Sequence, residues 1–333
     1  MLINNKTQND KDYKNYIEMV HNKREVPNAV LEEIVKKSNS SSIVLKERII
    51  SGEVNEVYLI NTSNNDDLIV RISFDKNLNF SYEKWAIENA KNVCVPVPEI
   101  LFIGKISIKG ELYSFCVNRY INGDPLDMEL IDFNKISKQK PKKYLFEAGK
   151  ILSKIHSVRT NGYGKIDGNG WSDEKSTDNF FKIWENNRLI ENLAAKIDLS
   201  PKTVELAGKN ILKFKNIYKK HWLVLNHGDF TPRHMIVRDG KIAGIIDWGE
   251  ARSDSPVYDF ANFDFWMDNQ NCLDWLKEGY ADKFIFDNNF ENLLNIAKLT
   301  VGLDVLSFYT IQNRTSVIKR AKEKIIRSLS YFQ

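Results

Sequence analysis

The sequence predicts an α+β chain of two lobes. The first is β-rich and built on five antiparallel strands; the second is mainly helical. Three observations predict it. β-Branched runs crowd into residues 43–120, helical spacing of apolar residues dominates after them, and Asn122-Gly123-Asp124-Pro125 breaks the pattern between the two. A chain of 333 residues suits two units of roughly 100–200 residues each. The spacing places the boundary so that the units are residues 1–120 and 121–333.

Residues 11–37 read as helical, and Pro27 fits the first turn of a second helix ahead of Ala29, Val30, Leu31, Ile34 and Val35. From Ile43 the period changes. Ile43–Ile50 and Val54–Ile60 are strands separated by the turn signal Ser51-Gly52-Glu53, and Leu68–Ile72 completes a meander. Phe80–Lys91 reads as a helix that stops before Val95-Pro96-Val97-Pro98, because a residue ahead of proline avoids helical geometry. Glu99–Ile103 and Leu112–Tyr120 supply the last two strands. In the second lobe, Leu145, Ala148, Ile151, Leu152 and Ile155 repeat at helical spacing, and Ala297–Ile311 reads as another helix. One β feature is embedded there. Trp222–Asn226 is a short strand, and Met235–Arg238 and Lys241–Ile246 form a hairpin around Asp239-Gly240, a dipeptide suited to a two-residue turn.

Composition narrows the function. A net charge of +4 with scattered basic residues gives no case for nucleic acid, and 42% hydrophobic with 28% charged residues excludes disorder as the main state. No apolar run is read as a membrane span, and Met1-Leu2-Ile3-Asn4-Asn5-Lys6 has no signal-peptide core. The expectation is a cytoplasmic monomer. Cys94, Cys116 and Cys272 are odd in number and far apart, matching neither a disulfide framework nor a zinc pattern.

The chemistry concentrates in His227-Gly228-Asp229-Phe230-Thr231-Pro232-Arg233-His234 and Ile245-Ile246-Asp247-Trp248. With Asp239 and Gly240 in the turn, facing residues have numbers that sum to 479, so Asp247 faces residue 232 and lies within two residues of His234. Two metal-ligand types meet at the open end of a hairpin, and Asp229 stands on the loop leading into it. A carboxylate beside a separate ligand pair is what phosphoryl transfer needs: one Asp for the attacking hydroxyl, another for the metal on the phosphates.

These residues resemble the aminoglycoside phosphotransferases, which have a bilobal protein-kinase-like fold, and the likeness extends over nearly the whole chain. Among them it is most similar to hygromycin B phosphotransferases, through Ile246-Asp247-Trp248-Gly249-Glu250-Ala251 and Tyr258-Asp259-Phe260-Ala261-Asn262, with Gly162-Tyr163-Gly164 and Gly302-Leu303-Asp304 as lesser matches. The resemblance implies ATP (or GTP) and Mg²⁺. It makes Asp229 the catalytic base and Asp247 the metal Asp, with His234 where most members have a metal-binding Asn. His227 and Asp259 would support the loop, and His156 would pack beneath it. In the first lobe it implies phosphate contacts from Ser51, Gly52 and Glu53, which alone read equally as a hairpin turn. It also implies an Arg71–Glu83 pair in place of the usual Lys–Glu, where Glu83 alone reads as a solvated helix charge. Adenine would meet backbone groups near Arg119 and Ile121.

A polycationic acceptor calls for carboxylates, and Glu250, Asp264, Asp268 and Asp304 are the candidates, each also readable as a solvated or capping charge. The implied activity is phosphorylation of an aminoglycoside hydroxyl, conferring antibiotic resistance. A kinase of a macrolide, choline, a methylthio-sugar or a metabolite, and a nucleotide-binding regulator without transfer activity, remain as alternatives.

Overall fold

The structure is a computed structural model that describes residues 11–22, 24–38, 40–50, 54–126, 139–172, 181–182, 184–218, 222–267 and 269–333. Ser51, Gly52, Glu53 and Asp268 lie outside the described residues.

Helices α1 (Lys11–Asn22) and α2 (Asn28–Lys37) precede the first sheet. Its strands are β1 (Ile43–Ile49), β2 (Asn55–Thr62), β3 (Asp67–Ser73), β4 (Ile100–Ile108) and β5 (Glu111–Arg119). All pairings are antiparallel, in the order β1-β2-β3-β5-β4. Leu68, Val70 and Ile72 alternate into a core completed by Ile60, Phe115, Val117 and, from α2, Leu31, Ile34 and Val35. α3 (Ser81–Asn92) follows β3 and buries Ala86, Ile87 and Ala90 against the second lobe's core rather than the sheet's. It therefore ties the lobes together. Its Tyr82 hydroxyl donates to the Gly249 carbonyl at 3.2 Å.

The second lobe contains α4 (Gln139–Ile155), α5 (Asn187–Ile197), α6 (Pro201–Lys213), α7 (Val257–Trp266), α8 (Gln270–Gly279), α9 (Phe290–Ile311) and α10 (Thr315–Ser330). α9 begins seven residues before the predicted start. It is apolar nearly all round, which blurs the 3.6-residue period. By length and composition α9 could cross a membrane, which corrects the expectation that no segment reaches that threshold. More than half of its apolar window is buried inside the fold, however, as in the core helix of a globular protein. Small sheets hold the remaining strands. β6 (Asp124–Pro125) pairs with β9 (Met235–Arg238), which pairs with β10 (Lys241–Ile245). β7 (Gly164–Lys165) and β8 (Val224–Asn226) flank β11 (Arg252–Asp254).

The β9–β10 turn is the predicted one. Asp239 and Gly240 both have positive φ, 51° and 75°, as a type I′ turn requires. The register is not wholly as expected. Lys241 and Ile242 pair with Arg238 and Val237, but a bulge then inserts Ala243, so Gly244 faces Ile236 and Ile245 faces Met235. The bulge seats Gly244 against Ile121, where a Cβ would stand 2.3 Å from Ile121 Cδ1. It also advances the strand by one residue, and Ile246 N–H donates to the His234 carbonyl at 2.9 Å.

Candidate active site

The loop after β8 has almost no freedom. Asp259, fully buried in the first turn of α7, accepts the His227 N–H on Oδ2 and the Gly228 N–H on Oδ1, both at 2.8 Å. The same Oδ2 lies 3.2 Å from His156 Nε2, and His156 Nδ1 lies 3.1 Å from the Tyr280 hydroxyl. Gly228 has φ 81°, and a Cβ there would stand 1.9 Å from the Glu250 carbonyl oxygen. Only glycine lets the two chain segments approach so closely.

His227 is locked by its partners. Its Nε2–H donates to the Ile246 carbonyl at 3.0 Å, and its Nδ1 accepts the Asp229 N–H at 3.3 Å. These partners define a neutral tautomer. Burial holds its pKa below the usual imidazole range, and Asp259 opposes this.

Asp229 is thereby presented at the rim. Its Oδ2 accepts from Arg233 Nη2 at 3.0 Å, while Oδ1 is shut from solvent without a partner among the described residues. Burial pushes the Asp229 carboxyl up, but Arg233, His234 and His227 outweigh it and hold the pKa below the ordinary value. The group is a carboxylate at neutral pH.

His234, in the 3-10 turn Pro232–His234, donates from Nδ1 to the Asp229 carbonyl at 2.9 Å. In the neutral ring this leaves a lone pair on Nε2, which lies 3.4 Å from Asp247 Oδ2. Asp247 holds its carboxylate there from a left-handed conformation, φ 65°. Adjacent ligands on an octahedral cation at about 2.1 Å lie roughly 3 Å apart, so this N/O pair fits a divalent ion with little movement. Among the described residues no group of three His, Cys, Asp or Glu side chains could hold a metal. Two protein ligands suit Mg²⁺, which keeps water and substrate phosphate in its remaining positions.

On the first lobe, Arg71 in β3 reaches Glu83 in α3, with Nη2 to Oε2 at 2.6 Å, and its guanidinium lies over the Phe80 ring. Burial opposes the Arg71 charge, but Glu83 with help from Cys116 and Asp247 keeps the group firmly cationic. Its Nε–H is buried without an acceptor among the described residues. A Cβ on Gly249 would lie 3.6 Å from Asp247 Oδ1 and 3.8 Å from Glu83 Oε1. The Arg71–Glu83 ion pair and the His234–Asp247 pair thus border one space between the lobes.

The pattern of APH, the phosphotransferase enzyme family, matches residues 47–282, a stretch that contains every group just described. The chain belongs to this family. The hygromycin-B 4-O-kinase of Escherichia coli is 21% identical over 196 residues, 59% of this chain and 55% of that relative, so the match spans little more than half of that protein. A solved structure of a thermostable mutant of aminoglycoside phosphotransferase APH(4)-Ia, in ternary complex with ADP and hygromycin B, superposes with TM-score 0.71 at 17% identity. It covers 91% of this chain and 98% of that one. A gentamicin complex of APH(2")-IIa superposes with TM-score 0.62 at 16% identity, over 91% and 96% of the two chains. The chain is a phosphotransferase-family enzyme with the bilobal kinase-like fold.

Other predicted positions in this family member fall as follows. The Arg119 side chain is committed to Asp66 at 2.7 Å and Glu99 at 3.0 Å, and its N–H donates to the Glu99 carbonyl. The Tyr120 N–H donates to Asp67. Ile121 packs on the β9–β10 hairpin through Gly244. Of the acceptor candidates, Glu250 is exposed and 3.5 Å from Lys165 Nζ. Asp304 shares its surroundings with Glu250, Asp254 and Arg252. The protein packed round its carboxyl raises its pKa, Arg252 opposes this, and Glu250 and Asp254 add to the rise. Asp264 stands apart from this group, neutralised by Lys298 Nζ at 2.8 Å. Three contacts were missed in the sequence. Tyr82 bridges the lobes, Asn226 accepts the Asp259 N–H at 3.3 Å, and Arg233 pairs with Asp229. Only Arg233 carried a signal, an Asp–Arg spacing of four residues.

Proposed function

We propose that this enzyme transfers the γ-phosphoryl group of ATP or GTP to a hydroxyl of a cationic small molecule, an aminoglycoside of the hygromycin B kind, and so inactivates the antibiotic. The observation that carries the reading is the chain Asp229–His234–Asp247, which sets the Asp229 carboxylate next to a His–Asp pair suited to a divalent ion, under a buried Arg–Glu pair. Residues 1–120 would form the nucleotide lobe and 121–333 the catalytic and acceptor lobe, in a cytoplasmic monomer.

Backbone groups at Arg119 and Ile121 would receive the base, with Ser51, Gly52 and Glu53 covering the phosphates. Arg71 would bind a phosphate oxygen through its guanidinium, and Glu83 would hold that guanidinium in place. Asp247 and His234 would hold Mg²⁺, which when bound neutralises charge on the transferring group. Asp229 would accept a hydrogen bond from the attacking hydroxyl, orient it in line and take its proton as the new P–O bond forms. Asp259 and His227 act earlier, by fixing where Asp229 stands. Glu250 and Asp304 would receive ammonium groups of the acceptor.

The test is ADP release from ATP or GTP with Mg²⁺ across aminoglycosides including hygromycin B, with macrolides and choline as contrasts. Turnover with one aminoglycoside, lost by a factor of about 10²–10⁴ in Asp229→Asn with nucleotide binding retained, is the expected result. Turnover only with a macrolide or choline would move the acceptor class. Nucleotide binding with no acceptor-dependent release would leave a regulator.

A further inference from the structure

Arg233 is unusual company for a base that must meet a cationic acceptor. It lies four residues after Asp229, in the 3-10 turn Pro232–His234 that ends the loop, and its side chain is 60% exposed. Exposed ion pairs of this kind are normally loose, but this one is braced. The guanidinium lies over the Trp266 ring at the end of α7, 5.9 Å from its centroid, within cation–π reach. That ring is fixed in turn by Arg320, 5.7 Å from the centroid, whose Nη2 donates to the Trp266 carbonyl at 2.6 Å. The bond also falls on a particular oxygen. With Asp229 Oδ1 shut from solvent, Oδ2 is the oxygen a hydroxyl can reach, and Oδ2 is the one Arg233 holds. A carboxylate oxygen has two lone-pair sites, so Oδ2 can keep Arg233 and still accept an O–H.

We infer that Arg233 is a positioning residue for phosphoryl transfer: braced on Trp266, it pins Asp229 Oδ2 toward the acceptor, and its charge turns the acceptor's ammonium groups away from the base, toward Glu250 and Asp304. The acceptor class follows, given the function proposed above. The reacting hydroxyl sits on a neutral part of the molecule, with the amines at a distance. A hydroxyl flanked by an ammonium group would bring two cations together beside Asp229.

Arg233→Met keeps the stem over Trp266 and removes the charge, and Arg233→Lys restores the charge without the fork. In the full-length protein, Arg233→Met is expected to lower kcat by about 10- to 100-fold, with acceptor KM unchanged or lower because a repelling cation is gone. Arg233→Lys recovers part of kcat. A general folding defect would instead raise KM and would not be rescued by lysine. Crystal structures of the wild type and Arg233→Met read the same pairing without any acceptor. Unchanged kcat in Arg233→Met overturns the inference, as does faster turnover, which would make Arg233 a plug on the base. If the wild type turns over no acceptor, the proposed function fails by itself. The crystal structures then decide the pairing: an Asp229 carboxylate that leaves its wild-type rotamer in Arg233→Met upholds it, and one that stays in place overturns it.

Discussion

The proposed catalytic loop, residues 227–234, and the proposed acceptor wall of Glu250, Asp264 and Asp304 are built on opposite plans. In the loop most polar groups are held by several partners. Asp259 takes two backbone N–H groups, His227 is bonded at both nitrogens, and Gly228 leaves no room for a side chain. On the wall, Glu250 is exposed and screened by a flexible lysine, Asp264 is cancelled by Lys298, and Asp304 sits among charges of both signs. On the proposed function, the loop is pre-organised for one reaction and the wall is free to change partners. A family is recognisable from the first kind of region, and an acceptor has to be sought in the second.

Breaking the loop gives the largest expected effects. Asp259→Ala strands two buried N–H groups and His156. It is expected to cost about 3–5 kcal/mol in urea unfolding and to abolish turnover. Gly228→Ala keeps every charge but drives a methyl group into the Glu250 carbonyl. A loss in kcat of about 100-fold is expected, with little change in nucleotide affinity by calorimetry. Glu83→Gln frees Arg71 in the nucleotide half. The nucleotide KM is expected to rise about tenfold, near 1.4 kcal/mol, while the acceptor KM stays put.

The wall answers more gently. Glu250→Gln should raise the acceptor KM by no more than about 5-fold, an effect that fades with salt. The two regions also separate by pH. Asp229 is depressed, so kcat holds as pH falls through the mildly acidic range. Asp304 is raised, so it protonates first and the KM for a cationic acceptor climbs while kcat is still flat. A kcat that falls together with the rise in KM would erase the distinction between loop and wall.

Legibility followed the range of the interactions. The hairpin was readable because Asp239-Gly240 encodes its own turn, and the sheet because β-branched runs and turn signals alternate over short distances. The bulge at Ala243 was not, because it depends on Ile121 packing over Gly244 from the other side of the lobe boundary. Asp264 looked as available as Glu250 because its neutralising lysine comes from another helix. Arg233 was within reach of its partner but went unread. A spacing of four is informative on a helix, whereas here it spans a loop ending in a single 3-10 turn.

α7 carries Asp259 in its first turn and Trp266 in its last. One end grips the loop that presents Asp229, and the other carries the ring under Arg233. A helix of 10 residues is a rod of about 15 Å that resists stretching. It therefore works as a spacer, setting how far the loop stands from the Trp266 ring. Lengthening or shortening it by a residue would rotate that ring by about 100°, so the spacing between loop and ring cannot be altered in small steps along this helix.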